Sequence, residues 1–449
     1  MTQPSTPERD RGLDPAGFNK RIWMLALPIM ATNVTVPLLG LVDTAVIGRL
    51  PGAEFMGAVA VGAVIVNVIY SSLNFLRMGT TGLTAQSYGA RDADQIRSWL
   101  ARVCILSVAL GLALVALQIP ILAVSYWAME PSGAVWQLTQ DYFRIRIWGA
   151  PAALFNFALL GWFFGLQNMR AALITQVSMN GLNMGLDIWF VLGLGWGVDG
   201  VAYATIISEY ASVGLGLIIA SGQLKKLGGH WRWDRIRDML RLRVMFQVNR
   251  DIFLRSVFLQ IAFVLFTAIG AGMGDQVLAA NAVLLQFTHF SAYALDGFAN
   301  AAEALAGEAV GAKDRELFRR AVKVTTIWSI LFAALFGGAY WLAGPALVDL
   351  VTTVEAVRQT AYEYLPWMVA LPLISIMSYE FDGIYIGATW TAEMRNSMAL
   401  SLLAFAVAVY FQPADWGNHG LWAAFTVFMA MRGLTMSWAY PRLARDVGR

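Results

Sequence analysis

The sequence predicts an all-α, polytopic membrane protein: twelve transmembrane helices in two pseudo-symmetric six-helix lobes. Three observations carry that prediction. Of 449 residues, 58% are hydrophobic and only 14% charged, with a mean hydropathy of +0.58, well outside the soluble range. Apolar runs close to the roughly 20 residues a helix needs to cross a bilayer recur twelve times, whereas barrel strands would be about ten residues long and alternating. Short motifs in the first half of the chain return in the second.

Residues 1-21 alternate charge with Pro, Gly and Ser and contain no apolar core. They read as a cytoplasmic tail with no cleavable signal peptide, so the first apolar run should direct insertion. That run, 22-47, holds Pro28 and Pro37, which remove helical hydrogen bonds and permit bending. It also holds Asp43, the lone carboxylate of an uncharged stretch from Ile22 to Gly48. An acid at the bilayer centre costs on the order of 2.5–3.5 kcal/mol on insertion scales, so it marks a functional site by default.

The second run, 55-80, leads to Gly89-Ala90-Arg91-Asp92, and the third, 99-126, contains Cys104, the only cysteine, which excludes an intramolecular disulfide. The fourth, 143-166, carries Gly161 and Gly165. The fifth, 171-195, places Asn180, Asn183 and Asp187 on one helical face, which must turn away from lipid. The sixth, 200-221, follows Trp196-Gly197 and contributes Thr205. Asp43, Asn183, Asp187 and Thr205 all fall toward the outer side of the bilayer, where they could meet as an all-oxygen cluster for protons or a hard cation. Two carboxylates close together in low dielectric cannot both ionise cheaply. Bridging of helices by hydrogen bonds is the alternative reading of Asp187 and the asparagines.

The stretch 222-249 is rich in Lys and Arg and carries Trp231 and Trp233. It reads as a cytoplasmic linker at the membrane surface between an N-terminal lobe, 22-221, and a C-terminal lobe, 250-440, with 441-449 as a second cytoplasmic tail. The runs of the second lobe are 250-273, 277-304, 319-343, 362-387, 396-413 and 419-440. The eighth run aligns Asp296, Asn300 and Glu303 on one face, and the tenth carries Glu380 and Asp382, so Asp296, Glu303 and Asp382 are candidates for a C-lobe polar cavity. Arg77 and Arg255 stand out as intramembrane cations.

Gly311-Ala312-Lys313-Asp314 repeats the motif at Gly89 after 222 residues, and Trp416-Gly417 with Gly420 repeats Trp196-Gly197 with Gly200. Gly383 and Gly387 repeat Gly161 and Gly165. Six crossings separate the equivalents, so both lobes share one membrane orientation, as parallel transporter repeats do. Alternate connections are rich in Arg and Lys and should face the cytoplasm, which puts both termini inside; Arg49, Arg144, Arg146 and Arg358 dissent. His230, His289 and His419 are scattered, and no phosphate loop or nucleophile motif occurs, so the chain is not expected to be an enzyme. The net charge of +3 gives no reason to expect nucleic acid.

The string Val36-Pro37-Leu38-Leu39-Gly40-Leu41-Val42-Asp43-Thr44, after Leu27-Pro28, resembles the first helix of multidrug and toxic compound extrusion (MATE) transporters. Asn249-Arg250-Asp251-Ile252, Ala294-Leu295-Asp296-Gly297-Phe298 and Met394-Arg395-Asn396-Ser397-Met398 resemble the DNA-damage-inducible F branch of that family. The resemblance runs from about residue 20 to 440. It implies a bacterial inner-membrane antiporter that exports organic, cationic or amphipathic compounds by alternating access. No cofactor is implied; the coupling ion is H+ or Na+. It further implies a proton or cation site at Asp43, Asn183, Asp187 and Thr205, with a helix bend at Pro28. Asp382 resembles a tenth-helix acid of another branch, but its surroundings differ and that branch's seventh-run acid has no counterpart here. The partners expected are small organic substrates and membrane lipids, and a two-lobe chain suffices as a monomer. A flippase for lipid-linked precursors is the alternative of the same architecture.

Overall fold

A computed structural model describes residues 14–50, 52–130 and 132–448. Every regular element among them is helical. Residues 1–13 of the expected N-terminal tail and Arg449 of the expected C-terminal one lie outside the described residues. The helices are α1 (Pro15–Ile47), α2 (Ala53–Leu73), α3 (Phe75–Gly89), α4 (Ala93–Ala116), α5 (Gln118–Met129), α6 (Gly133–Arg146), α7 (Ala150–Gly165), α8 (Met169–Asp187) and α9 (Gly197–Leu227). A single turn, α10 (Trp233–Ile236), precedes α11 (Met239–Ala271), α12 (Asp275–Gly311), α13 (Arg315–Val351), α14 (Glu355–Gly387), α15 (Thr391–Phe411) and α16 (Gly417–Asp446).

Pairs α2/α3, α4/α5 and α6/α7 each follow one another with at most a short interruption, so the helices make twelve rods, as the apolar runs predict. Among the described residues, eight stretches are long and apolar enough to cross a membrane by length and composition alone. The rods outside that group, α1, α8, α12 and α16, include the ones that carry Asp43, the α8 asparagines, Glu303 and Arg432.

Local chemistry sets the ends. Asp14 Oδ1 accepts from Gly17 N at 2.8 Å and Pro15 follows it, which starts α1 seven residues before the apolar run. The break between α4 and α5 falls just before Pro120, which has no N–H to donate to the preceding turn. α8 ends at Asp187 in a wider π-type turn, Ile188–Gly193.

The chain divides into two compact units, one spanning Ala31–Met245 and one made of the residues up to Met30 together with Phe246 onward. Helix α1 contributes to each. Its early turns belong to the second unit: Trp23 meets Phe298 and Trp328 edge-on at 5.4 and 4.9 Å, and Arg21 pairs with the buried Glu308 at 2.6 Å. Its last turn packs Val46 and Ile47 with Val198 and Val201 in the first unit.

Each unit repeats the other's internal design. Arg91 and Lys313, 222 residues apart, take left-handed φ values of 56° and 54°, and so do Gln167 and Thr389 at 58° and 57°. Non-glycine residues rarely adopt that conformation. Asp92 caps α4 through Gln95 N at 3.0 Å, and Asp314 caps α13 through Leu317 N at 3.0 Å. Gly161 lies against the Arg77 carbonyl where Gly383 lies against the Ala299 carbonyl, so neither position has room for a Cβ. These close approaches pack the second rod of each unit against its fourth.

Candidate functional site

Asp43 sits one turn before the end of α1, Asp187 closes α8, and Asn183 stands one turn before it. Thr205 and Ser208 face them from α9. The structure brings Asp43, Asn183, Asp187 and Thr205 together in the Ala31–Met245 unit. The Asn183 amide satisfies its neighbours in one orientation: Nδ2 donates to Asp187 Oδ2 at 2.6 Å, and its oxygen accepts from Thr205 Oγ1 at 3.1 Å and Ser208 Oγ at 3.3 Å. The Asp43 and Asp187 carboxyls lie within hydrogen-bonding reach of each other. Each also has a buried oxygen, Oδ1, without a donor among the described residues. Carboxylates only accept, so a hydrogen bond between the two acids forms when one of them carries a proton. Asp187 is fully buried.

The same face of α8 holds α1 further along, where Asn180 Nδ2 donates to Thr35 Oγ1 at 2.8 Å and Gln176 Nε2 donates to Asn180 Oδ1 at 3.3 Å. A one-residue slip of α8 would turn this polar face into the apolar packing. The ligating atoms that Asp43, Asp187 and Thr205 offer are oxygens, suited to a proton or a hard cation. Among the described residues no group of three or more His, Cys, Asp or Glu is placed to hold a metal ion.

Sequence reasoning missed a second polar cluster beside the first. Arg146 grips Glu209 with two hydrogen bonds, Nη1 to Oε2 at 3.0 Å and Nη2 to Oε1 at 2.5 Å, and Nη1 also reaches Tyr70 at 3.3 Å. Asn156 Nδ2 donates to the Glu209 carbonyl at 3.0 Å. Arg146 dissents from the loop-charge pattern because it is no loop residue: it lies in the middle of the α6/α7 rod with its charge matched inside the unit. Glu209 follows Ser208 directly, so α9 presents both clusters.

The other candidates belong to the second unit. Pro28 lies within an unbroken α1, 15 positions before Asp43, or about 22 Å along the helix axis. Asp296 is half-buried on α12 and Glu303 is buried one face-repeat later, beside Gly387. Asp382 is held by Arg255 and Arg432. Arg432 has no precedent in the sequence reading, which singled out only Arg77 and Arg255 as intramembrane cations; Arg146 and Arg432 join them. Arg77 itself donates Nε to Asn74 Oδ1 at 3.2 Å.

The helical architecture, the internal repeat and the paired acids define the class of a polytopic membrane transporter. The family model described as MatE matches residues 28–189 and again 252–412, one match per repeat. The chain belongs to this family of multidrug and toxic compound extrusion transporters, which are not enzymes. It is similar to DNA damage-inducible protein F of Escherichia coli (strain K12), with 42% identity over 95% of this chain and 93% of the relative. It is also similar to the probable multidrug resistance protein NorM of Acinetobacter baylyi, with 24% identity over 91% of this chain and 93% of the relative. Its fold matches the crystal structure of MATE in the bent conformation, with a TM-score of 0.85 at 19% identity and coverage of 95% and 96%. It likewise matches the outward-facing conformation of a multidrug resistance MATE family transporter, with a TM-score of 0.82 at 21% identity over 95% and 96%.

Proposed function

We propose that the protein is a secondary antiporter that exports amphipathic organic compounds in exchange for protons, or Na+, by alternating access, with the ion handled at Asp43 and Asp187. The observation that carries this reading is the close approach of the two carboxyls. With one proton the pair holds α1 to α8. Without it, two carboxylates repel at close range in a medium that screens poorly. Protonation therefore sets the mutual position of the two helices, and a Na+ ion in the same oxygen cage would act in the proton's place. Asn183 and Thr205 orient Asp187, so they are positioning residues for the same event. Pro28 gives α1 a point at which its hydrogen-bond ladder is already interrupted, so a shift at Asp43 can be taken up as a bend there. The chain would lie in a bacterial inner membrane with both termini cytoplasmic and would work as a monomer.

The test is uptake of a fluorescent amphipathic cation into inverted vesicles under an imposed pH gradient and then a Na+ gradient. Gradient-driven uptake that disappears in Asp43→Asn supports coupling at the pair, and the effective gradient names the ion. Uptake that the substitution leaves unchanged removes Asp43 from the mechanism. No uptake in either gradient would move the reading to a lipid-linked precursor.

A further inference from the structure

In the unit that continues from Phe246, helices α11, α14 and α16 bring two guanidiniums onto one carboxylate. Asp382 Oδ2 accepts from Arg255 Nη2 and, at 2.8 Å, from Arg432 Nη2. All three side chains are buried, Arg432 down to 1% exposure. The charges do not balance, because a guanidinium stays protonated in any protein environment and Asp382 is the one carboxylate paired with either arginine among the described residues. Glu380, two residues away, points elsewhere and accepts from Thr325 and Ser329. Arg432 lies over the rings of Tyr379 and Phe428 at 5.8 and 5.7 Å, and ring faces attract a cation without neutralising it. Arg255 Nε and Arg432 Nε are buried with no acceptor. Asp382 Oδ1 is also unmatched. A small turn of that carboxyl could engage one Nε, which would leave the other, and the excess charge, as they are. In the other unit Arg146 has Glu209 to itself, and the buried Arg97 and Arg102 donate to backbone carbonyls at Leu224, Gly228, Arg235 and Ile236.

Interior charge is tolerated when paired, and a buried donor without an acceptor costs its full desolvation. The cluster is therefore one anion short. We propose that Arg255 and Arg432 form a binding site for an acidic group, a carboxylate or a phosphate ester, carried by an amphipathic compound. Asp382 holds the two guanidiniums beside each other, and their planar forks match the oxygens of either group. The inference rests on the transport reading for its purpose but refines it: compounds recognised here carry an acid, alone or within a zwitterion.

Equilibrium binding without any gradient tests the site apart from coupling at Asp43. The protein, in nanodiscs of phosphatidylcholine, is titrated calorimetrically with three probes that share one apolar body: naphthoate, naphthyl phosphate and naphthylmethyl-trimethylammonium. The two anions bind at least tenfold more tightly than the cation. Arg255→Gln and Arg432→Gln each weaken anion binding by about tenfold or more. Each leaves Asp382 with one guanidinium, a balanced pair that preserves the fold, and Arg255→Lys restores part of the binding by restoring the charge. Cation binding as tight as anion binding, or anion binding untouched in both Gln variants, overturns the proposal. Discs doped with phosphatidate separate the sources: competition with naphthoate identifies a lipid headgroup as the occupant, and its absence identifies a soluble acid.

Discussion

A guanidinium inside a helical bundle needs a partner equally removed from water, and Glu209 supplies it for Arg146 through two parallel hydrogen bonds. Removing one member leaves the other charged and dry, at a cost on the order of 3–5 kcal/mol, whereas replacing both by apolar groups of similar volume is close to neutral. Glu209→Gln should therefore lower the melting temperature of the purified protein clearly. The double substitution Arg146→Met/Glu209→Met should recover most of the loss. Equal melting of Glu209→Gln and the native chain would show that the pair carries no such burden. At this scale the sequence is readable only where a polar residue is conspicuous by itself. Asp43 and Asp187 stand out because each is the single acid of an apolar run. Glu209 is equally the single acid of its run, but its partner Arg146 lies 63 positions away near the edge of another run, so the pair is not legible as one. Arg432 is hidden for the same reason: nothing local in the sequence says that Asp382 and Arg255 wait for it.

At the scale of elements, hydropathy locates all twelve rods, because a run of about 20 apolar residues has one stable form in lipid. It does not locate the interruptions at Asn74 and Leu117 or the π-type turn after Asp187, since apolar content is continuous through them. The paired glycines are legible as a repeated spacing, but their purpose appears only in the packing. A Cβ on Gly387 would collide with the Glu303 carbonyl and the Gly307 nitrogen, both backbone atoms of α12. Gly387→Ala should thus force α14 and α12 apart and destabilise by about 1–3 kcal/mol. Gly181 lies mid-helix with nothing within 4 Å of a Cβ built there, so Gly181→Ala should gain about 0.5–1 kcal/mol by removing backbone freedom. Melting curves in one detergent give both signs. A loss at Gly181 as large as that at Gly387 would mean that helix propensity, and not the close approach, explains the glycines.

At the scale of the whole molecule, the repeat and the charge pattern are two statements about one constraint. Equivalent residues 222 positions apart, such as Arg91 and Lys313 with their matched left-handed backbone, are separated by six rods, so each repeat must start from the same side of the membrane. The connections at those residues are basic: Arg91 in the first repeat and Lys313, Arg315, Arg319 and Arg320 in the second. Those at the opposite ends carry Glu130, Asp275 and Asp415. The positive-inside rule then predicts which side every rod end faces. In a Cys104→Ala background, Glu130→Cys and Asp275→Cys should react with a membrane-impermeant maleimide on intact cells, since both positions are exposed at rod ends. Lys225→Cys and Glu316→Cys, also exposed, should react only after permeabilisation. The four positions test the repeat as well as the orientation, because Glu130 and Asp275 belong to different repeats, as do Lys225 and Glu316. Reaction of Glu130→Cys and Glu316→Cys on the same side would break the alternation of rods, and with it the parallel relation between the two halves.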